Sequence, residues 1–477
     1  MLGSQPVFFK AAVAPVAGDG LGYTVSVGAG NTHTLPLTGT GSYNFTVDWG
    51  DGSSDTITAN TDPEITHTYV AGGSYDIVIN GLCTEFRFDG LGDRTQVTAI
   101  NSFDAPALSM TTMTDMWQGC TNLTSVTLNN TTGVTSMRYA FAGTAIATSN
   151  GANWVTSSVT DITHMFSSGT HTQPVDTSGW DTSGLTSIVT PWFACFSMTG
   201  APDVSGWDTS NCTSINGVWL GCQGMTGTPD VSGWDVSNCT LIGAVFSQCY
   251  VMTATPDVSS WDTSSATQLS QIFGDCRALT TAPDVSGWNT TSTTRISEMF
   301  DGCWNMATTP DVSGWDTSGC TDLHGNFASC RSLATVPDVS GWNTALNRDF
   351  EDMFFDCDDF TSTPDISGWD TANGQRFDNM YRGCSAAATP DLTQFDWDDA
   401  RELNNTLTVF GTGPVFSNAE VDAWLIKLEA DNINPNNLTF DYDSMVGNVH
   451  LDAGRSGAAN TAVSNLIAGG AVRVGTY

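Results

Sequence analysis

Eight tryptophans recur every 27 residues: Trp180, Trp207, Trp234, Trp261, Trp288, Trp315, Trp342 and Trp369. Eight cysteines keep the same interval, at Cys195, Cys222, Cys249, Cys276, Cys303, Cys330, Cys357 and Cys384. A period in this range is the mark of a solenoid, in which each repeat is one turn of a stacked coil and touches only its neighbours. Upstream the interval is shorter. The aromatic-plus-small end of each unit falls at Trp117/Cys120, Phe141/Thr144, Phe166/Gly169 and Trp192/Cys195 before the regular beat sets in. A chain tied to such a period is expected to present an extended surface rather than a single reaction pocket.

Within one unit the apolar residues Ile296, Met299, Phe300 and Cys303 are spaced i, i+3, i+4, i+7, and Leu323, Asn326, Phe327 and Cys330 repeat the spacing one unit later. Phe350, Met353, Phe354 and Cys357 do so again. This spacing predicts a short helix. The Pro-Asp-Val-Ser segment before each tryptophan carries one β-branched residue, from Val204 through Val231, Val258, Val285, Val312 and Val339 to Ile366, and predicts a short strand begun by proline. Parallel strands stack about 4.8 Å apart, whereas helices need about 8–10 Å between axes. The mismatch predicts a curved stack with strands on the inner face, unless the helical parts are single or 3₁₀ turns.

The rest of the chain divides around this coil. Residues 1–20, Pro-bearing and apolar, read as an extended arm. Residues 21–90 read as a β-sandwich: Tyr43, Phe45, Val47 and Trp49 alternate, Gly50-Asp51-Gly52 turns the chain, and Tyr75, Ile77 and Ile79 alternate again. Residues 91–400 form the solenoid of about eleven turns. Residues 401–477 break the beat and read as an α/β cap over the open end. Ser417 with Glu420 forms a capping box ahead of a helix carrying Val421, Trp424, Leu425 and Leu428, and Ala458–Ala468 reads as a second helix. Leu438–Phe440 and Ala471–Val474 read as strands.

Two resemblances follow from these motifs. Val47-Asp48-Trp49-Gly50-Asp51-Gly52-Ser53, His67-Thr68-Tyr69 and Gly73-Ser74-Tyr75-Asp76-Ile77 resemble a PKD domain, the immunoglobulin-like module of many surface proteins. From residue 80 onward, Phe88-Asp89-Gly90-Leu91-Gly92-Asp93-Arg94, the repeated Asp-Val-Ser-Gly-Trp-Asp-Thr-Ser and Met-Phe-x-Gly-Cys resemble the BspA-type leucine-rich-repeat surface proteins, with a longer, Trp-rich unit. The tail is similar to the capping turns of phage tail and surface repeat proteins. The resemblances imply a leucine-rich-repeat-like solenoid behind an immunoglobulin-like domain.

Charge narrows the partners. The net charge is −36, and Lys10 and Lys427 are the sole lysines, so no basic patch exists for nucleic acid or an anionic membrane. No run of 18 apolar residues is present to span a bilayer. Thirteen cysteines leave at least one unpaired, and none sits at zinc spacing. Thiols ending a buried stripe read as free, since neighbouring helices would hold them too far apart for a disulfide. Cys212, Cys239 and Cys320 share a second register, and Cys212 with Cys239 is the best disulfide candidate. The tryptophan column has two readings, a sugar-stacking platform or a buried corner filler, and its strict identity favours burial. Two aspartate ladders, Asp203 to Asp365 and Asp181 to Asp370, require compensation of like charges. Backbone caps answer this, and Ca²⁺ bridging is the alternative.

No nucleophile motif is present, and no residue is assigned a catalytic or metal role. The acidic cluster Glu351, Asp352, Asp358 and Asp359 reads as a solvated face. Recognition is expected at positions that vary between turns, beside each cysteine: Arg277, Trp304, Arg331 and Asp358. The combined expectation is a non-enzymatic bacteriophage virion protein, whether tail fibre, receptor-binding or head-decoration protein. It begins at Met1 without a signal peptide, docks on other virion proteins through the arm and the PKD-like domain, and meets a host glycan or protein with the solenoid, as a monomer or an oligomer. A bacterial cell-surface adhesin is the alternative, and a polysaccharide depolymerase is the second alternative.

Overall fold

The computed structural model describes residues 20–89, 92–377 and 379–384, together with the backbone of 440–441 and 472–473. The chain forms two compact units, Met1–Gly184 and Leu185–Tyr477.

In the first unit, strands β1 (Leu21–Val27), β3 (Tyr43–Asp48), β4 (Ser54–Ile57) and β6 (Gly73–Cys83) form an antiparallel sheet in the order β4-β3-β6-β1. A separate ribbon pairs β2 (Thr32–Thr34) with β5 (Thr66–Thr68). The alternation read from the sequence sets the faces: Tyr43, Phe45, Val47 and Trp49 are buried, and the residues between them are exposed. Gly50 makes the turn with φ +80°, and a Cβ there would lie 2.6 Å from the Asp76 carbonyl oxygen, so only glycine fits. The sheet runs on past residue 90. Strand β7 (Val97–Phe103) pairs antiparallel with β1, and then β8 (Ser125–Val126) and β9 (Thr148–Ser149) add in parallel as the first turns of the coil.

The second unit corrects both secondary-structure expectations for the repeat. The Asp-Val-Ser segment is a turn, not a strand. The strands lie at the start of the apolar stripe: β10 (Leu241–Gly243), β11 (Gln268–Ser270) and β12 (Arg295–Ser297), paired in parallel 27 residues apart. Single bridges carry the pattern outward at Ser214↔Leu241, Arg295↔Asp322 and Asp349↔Arg376.

The stripe itself is not helical. Among the described residues the one α-helix is Ala105–Leu108, in the first unit. Two residues of each stripe, four apart, take left-handed backbone: Gly217 and Gly221, Gln271 and Asp275, Glu298 and Gly302, Gly325 and Ser329. Left-handed residues cannot propagate a right-handed helix. Alternate N–H groups then reach the next turn, as in Gln271 to Ser297 (2.9 Å) and Phe273 to Met299 (3.1 Å). Those between close tight turns, as in Cys276 to Phe273 (3.1 Å). Ile296, Met299, Phe300 and Cys303 still all point inward. The apolar spacing was therefore a true burial signal carried by a different backbone. Because each turn bonds to the next, the wider spacing that packed helices need does not arise within this unit.

Inside, like residues stack on like. Trp207, Trp234, Trp261, Trp288, Trp315, Trp342 and Trp369 have centroids 6.1–6.5 Å apart, with planes within 8° of parallel. Each is at most 6% exposed, which excludes the sugar-platform reading for this column. From Trp234 on, each indole Nε1 donates to a backbone carbonyl 30 residues back, as Trp288 does to Val258 at 3.1 Å. The thirteen cysteines are all free and buried, so Cys212 and Cys239 are not bridged. From Cys222 to Cys384 each thiol of the main column lies 3.0–3.5 Å from a carbonyl oxygen 30 residues back, acting as a small polar staple between turns. A file of exposed threonines, Thr213, Thr240, Thr267, Thr294 and Thr321, does the same on the surface, each hydroxyl donating to the carbonyl 27 residues back.

Of the expected cap, strands β13 (Phe440–Asp441) and β14 (Val472–Arg473) pair in parallel, where two strands were read. The arm and the two expected cap helices lie outside the described residues.

Candidate recognition surface

The position after each core cysteine leaves the interior. A left-handed residue immediately before the cysteine re-aims the chain, and the cysteine turns inward while its successor faces out. In successive turns this successor is Phe196, Gln223, Tyr250, Arg277, Trp304, Arg331 and Asp358. The structure brings three of the four expected recognition residues into one stack. The Arg277 guanidinium lies 4.0 Å from the Tyr250 ring centroid and 4.4 Å from that of Trp304, and Arg331 lies 5.0 Å from Trp304 in the next turn. Such cation–π contacts stabilise by about 0.5–1 kcal/mol each at exposed sites.

Carboxylates set the two arginines from behind. Arg277 Nε donates to Asp275 Oδ1 at 3.0 Å, and Arg331 Nη2 to Asp356 Oδ2 at 2.9 Å. Asp275 and Asp356 occupy equivalent left-handed positions three turns apart, with φ +57° and +55°. Both arginines keep part of their surface in solvent, 33% and 45%. Asp358 sits one turn beyond Arg331, exposed. Partial burial first, then Asp356 and Asp359, raise its carboxyl, and Arg331 opposes them. Sequence reasoning missed Tyr250, Asp275 and Asp356. All three were legible by register, one being the residue after Cys249 and two the residues before Cys276 and Cys357.

A second cluster lies at the strand end of the same stripes. Arg295 Nε meets Asp322 Oδ2 at 3.0 Å, and Arg376 meets Asp349 Oδ2 through Nη1 at 2.8 Å and Glu351 through Nη2. His324 bridges Asp322 through Nδ1 (2.6 Å) and Glu298 through Nε2 (2.9 Å). With a carboxylate on each ring nitrogen it is an imidazolium, and those two hydrogen bonds hold its pKa up to about 10. Asp301, beside Glu298, Asp275 and Asp352, is pushed up to about 7, by burial first and then by those carboxylates. The acidic cluster read as one solvated face is therefore split. Asp358 and Asp359 are exposed, while Glu351 is ion-paired and Asp352 is half-buried with its pKa raised, mainly by burial. Asp322, His324 and Asp349 offer ligand atoms within 4.8 Å of one another. Two guanidiniums and a proton already neutralise that group, so its geometry is that of an ion-pair network.

The aspartate ladders behave as caps. From Asp203 to Asp338, each aspartate of the first ladder accepts the N–H and hydroxyl of the serine two residues on, as Asp284 does from Ser286 at 3.2 and 2.7 Å. These bonds hold Asp257, Asp311 and Asp365 below the usual carboxylate range, the reverse of what uncompensated repulsion would do. Calcium bridging, the other expectation for these ladders, finds each Oδ1 already engaged.

The sequence model of the family described as "Mycoplasma protein of unknown function, DUF285" matches three overlapping segments, 88–198, 190–309 and 294–424. No curated protein matches the sequence. Among solved structures, a leucine-rich repeat protein from Bacteroides ovatus ATCC 8483 is similar at 12% identity, over 77% of this chain and 84% of its own, with a TM-score of 0.37. A leucine rich cell surface protein from Faecalibacterium prausnitzii A2-165 is similar at 16% identity, over 68% and 81%, with a TM-score of 0.32.

Proposed function

The chain belongs to this DUF285 family, and on that premise we propose that it is a non-enzymatic recognition protein working at a bacterial cell surface, an adhesin whose repeat scaffold presents the strip after each cysteine. The observation that carries this is the contrast in side-chain identity between neighbouring columns. The tryptophan, valine and cysteine columns of the interior repeat one residue type or a close substitute at every turn, because a stacked core punishes changes of size. The strip changes residue at every turn and gathers aromatic and arginine side chains, the types that dominate binding hot spots. The BspA-type motifs and the PKD-like, immunoglobulin-like reading of residues 21–90 support a surface setting.

The test is a strip variant in which Tyr250, Arg277, Trp304 and Arg331 are all replaced by Ser. It is expected to melt within a few degrees of the parent and to lose retention on arrays of immobilised surface polysaccharides and proteins. Equal retention of the two proteins, or release of reducing ends from a retained polysaccharide, would overturn the reading.

One observation favours the virion setting as a second reading. Thirteen buried thiols without a disulfide fit a chain that folds in a reducing compartment and reaches the outside already folded. Burial pushes Cys212, Cys239 and Cys320 up to about 12, so the folded thiols are poor nucleophiles thereafter. On this reading the arm and the PKD-like domain hold other virion proteins. Mass spectrometry of purified particles from a phage encoding the chain would find it in stoichiometric amount, and its absence from them ends this reading.

A further inference from the structure

We infer that the stack Tyr250–Arg277–Trp304–Arg331 is a site for an acidic polysaccharide in which carboxylate-bearing sugars alternate with neutral ones. This rests on the recognition reading above and adds the chemistry of the ligand. Trp304 is flanked by a guanidinium from the turn before and one from the turn after, at 4.4 and 5.0 Å. What remains for a ligand is the edge of the stack. Ring edges are the positive part of an aromatic quadrupole, and guanidinium edges carry a planar fork of N–H donors shaped for carboxylates. Among the described residues no protein acceptor takes an Nη group of Arg277 or Nη1 of Arg331, since their bonds go out from Nε to Asp275 and from Nη2 to Asp356. Both guanidiniums are thus oriented by a carboxylate and an aromatic face, with donors left over. Such preorganisation favours binding because little freedom is lost when the ligand arrives.

Charge and spacing narrow the ligand further. In a chain with 14 basic and 50 acidic residues, these two arginines share one strip in alternate turns. A polyanion with a charge on every unit would meet Asp358 and Asp359 and the surrounding acidic surface, while a sparsely charged one sets its carboxylates on the arginines and neutral units between. The guanidiniums are two turns apart, about 10 Å at the stacking distance of parallel strands, whereas same-face side chains of an extended peptide recur at about 6.6 Å. A sugar ring advances an extended polysaccharide by about one turn of this coil. Alternate sugars therefore fall on Arg277 and Arg331, and the neutral sugar between them falls on the edge of Trp304.

The experiment measures binding of the full chain to three probes by calorimetry. They are an oligosaccharide alternating uronic acid and neutral hexosamine, the same oligosaccharide with its carboxyls reduced to alcohols, and polyglutamate. The parent is expected to bind the first and to bind the others at least tenfold more weakly. The double variant Arg277→Lys, Arg331→Lys keeps both charges and loses the planar fork, and its affinity for the first probe is expected to fall at least tenfold. Equal binding of the reduced oligosaccharide, unchanged affinity in the double variant, or no binding of the first probe overturns the carboxylate assignment. Tighter binding of polyglutamate overturns the glycan in favour of an acidic peptide. If the Ser strip variant loses retention on a neutral polymer instead, recognition by the strip stands and this ligand class falls. If it loses retention on nothing, both fall.

Discussion

Cys276 and Arg277 are neighbours in the chain and opposites in the fold. Along the column of Cys276 the same residue recurs in every turn of the second unit to Cys384, buried, with its thiol against the same kind of carbonyl. Along the column of Arg277 the residue is Gln, Tyr, Arg, Trp, Arg and Asp in successive turns. The two columns share period, register and backbone, so the stack itself does not demand uniformity. In the cysteine column identity is fixed because each side chain is enclosed by its own kind above and below. One residue later that enclosure ends, and other demands choose the side chain.

The strongest way to break this comparison is to truncate one tryptophan from each kind of column. Trp288 is 3% exposed, stacks on Trp261 and Trp315, and donates to Val258. Trp288→Ala is expected to destabilise the second unit by about 3–5 kcal/mol. Trp304→Ala removes two cation–π contacts at the surface and is expected to change stability by less than about 1–2 kcal/mol. Denaturant unfolding of both variants checks this. Similar losses would mean that Trp304 is a structural member of the stack, and the contrast between the columns would collapse.

Much of this was legible in the sequence. The beat of the tryptophans gave the coil, the i, i+3, i+4, i+7 spacing gave the buried side chains, and Asp followed by Ser two residues on gave the caps. The helix was misread because that spacing describes which side chains face inward, and a pair of tight turns joined by left-handed residues satisfies it as well as a helix does. The corrective signal was present in part: Gly217 and Gly221, Gly302, Gly325 and Gly383 occupy the left-handed positions, although Gln271 and Glu298 there disguise it. The ion-pair network was harder to see because its partners, Arg295 with Asp322 and Arg376 with Asp349, lie 27 residues apart and meet only when units are aligned by strand register. The stack around Trp304 needed the same alignment.

That network sharpens the comparison from its other side, since it too sits on variable positions yet is partly buried. Asp301 has a folded pKa raised to about 7 from an ordinary carboxyl value of 3.8. A raised pKa means that the contribution of this group to stability is full below pH 3.8 and is lost as pH rises through about 7, where the carboxylate must ionise beside Glu298, Asp275 and Asp352. Asp301→Asn removes that cost. It is expected to stabilise the protein at pH 8 by roughly 1–3 kcal/mol, less than the full shift because the site is partly solvated, with no gain at pH 3. Thermal melts across that range check it, and a gain independent of pH would show that charge at Asp301 is not the cause.

The smallest effect is expected on the exposed ladder, where identity is uniform although nothing encloses it. Asp284 repeats at every turn for a local reason: its Oδ1 accepts both the N–H and the hydroxyl of Ser286 and so closes the turn that leads into Trp288. Asp284→Ala leaves those donors to water and is expected to lower stability by about 0.5–1.5 kcal/mol. Asp284→Asn keeps the acceptor and removes one negative charge from a chain of net charge −36, so it is expected to be neutral or slightly stabilising at low salt. The fold already makes that substitution elsewhere, where Asn289 accepts from Thr291 at 3.1 and 2.8 Å in the same geometry. Denaturant midpoints of the two variants, at low and high salt, decide between acceptor and charge. If Asn costs as much as Ala, the carboxylate itself is needed, and the ladder would have to be read as a site for a cation rather than as a row of caps.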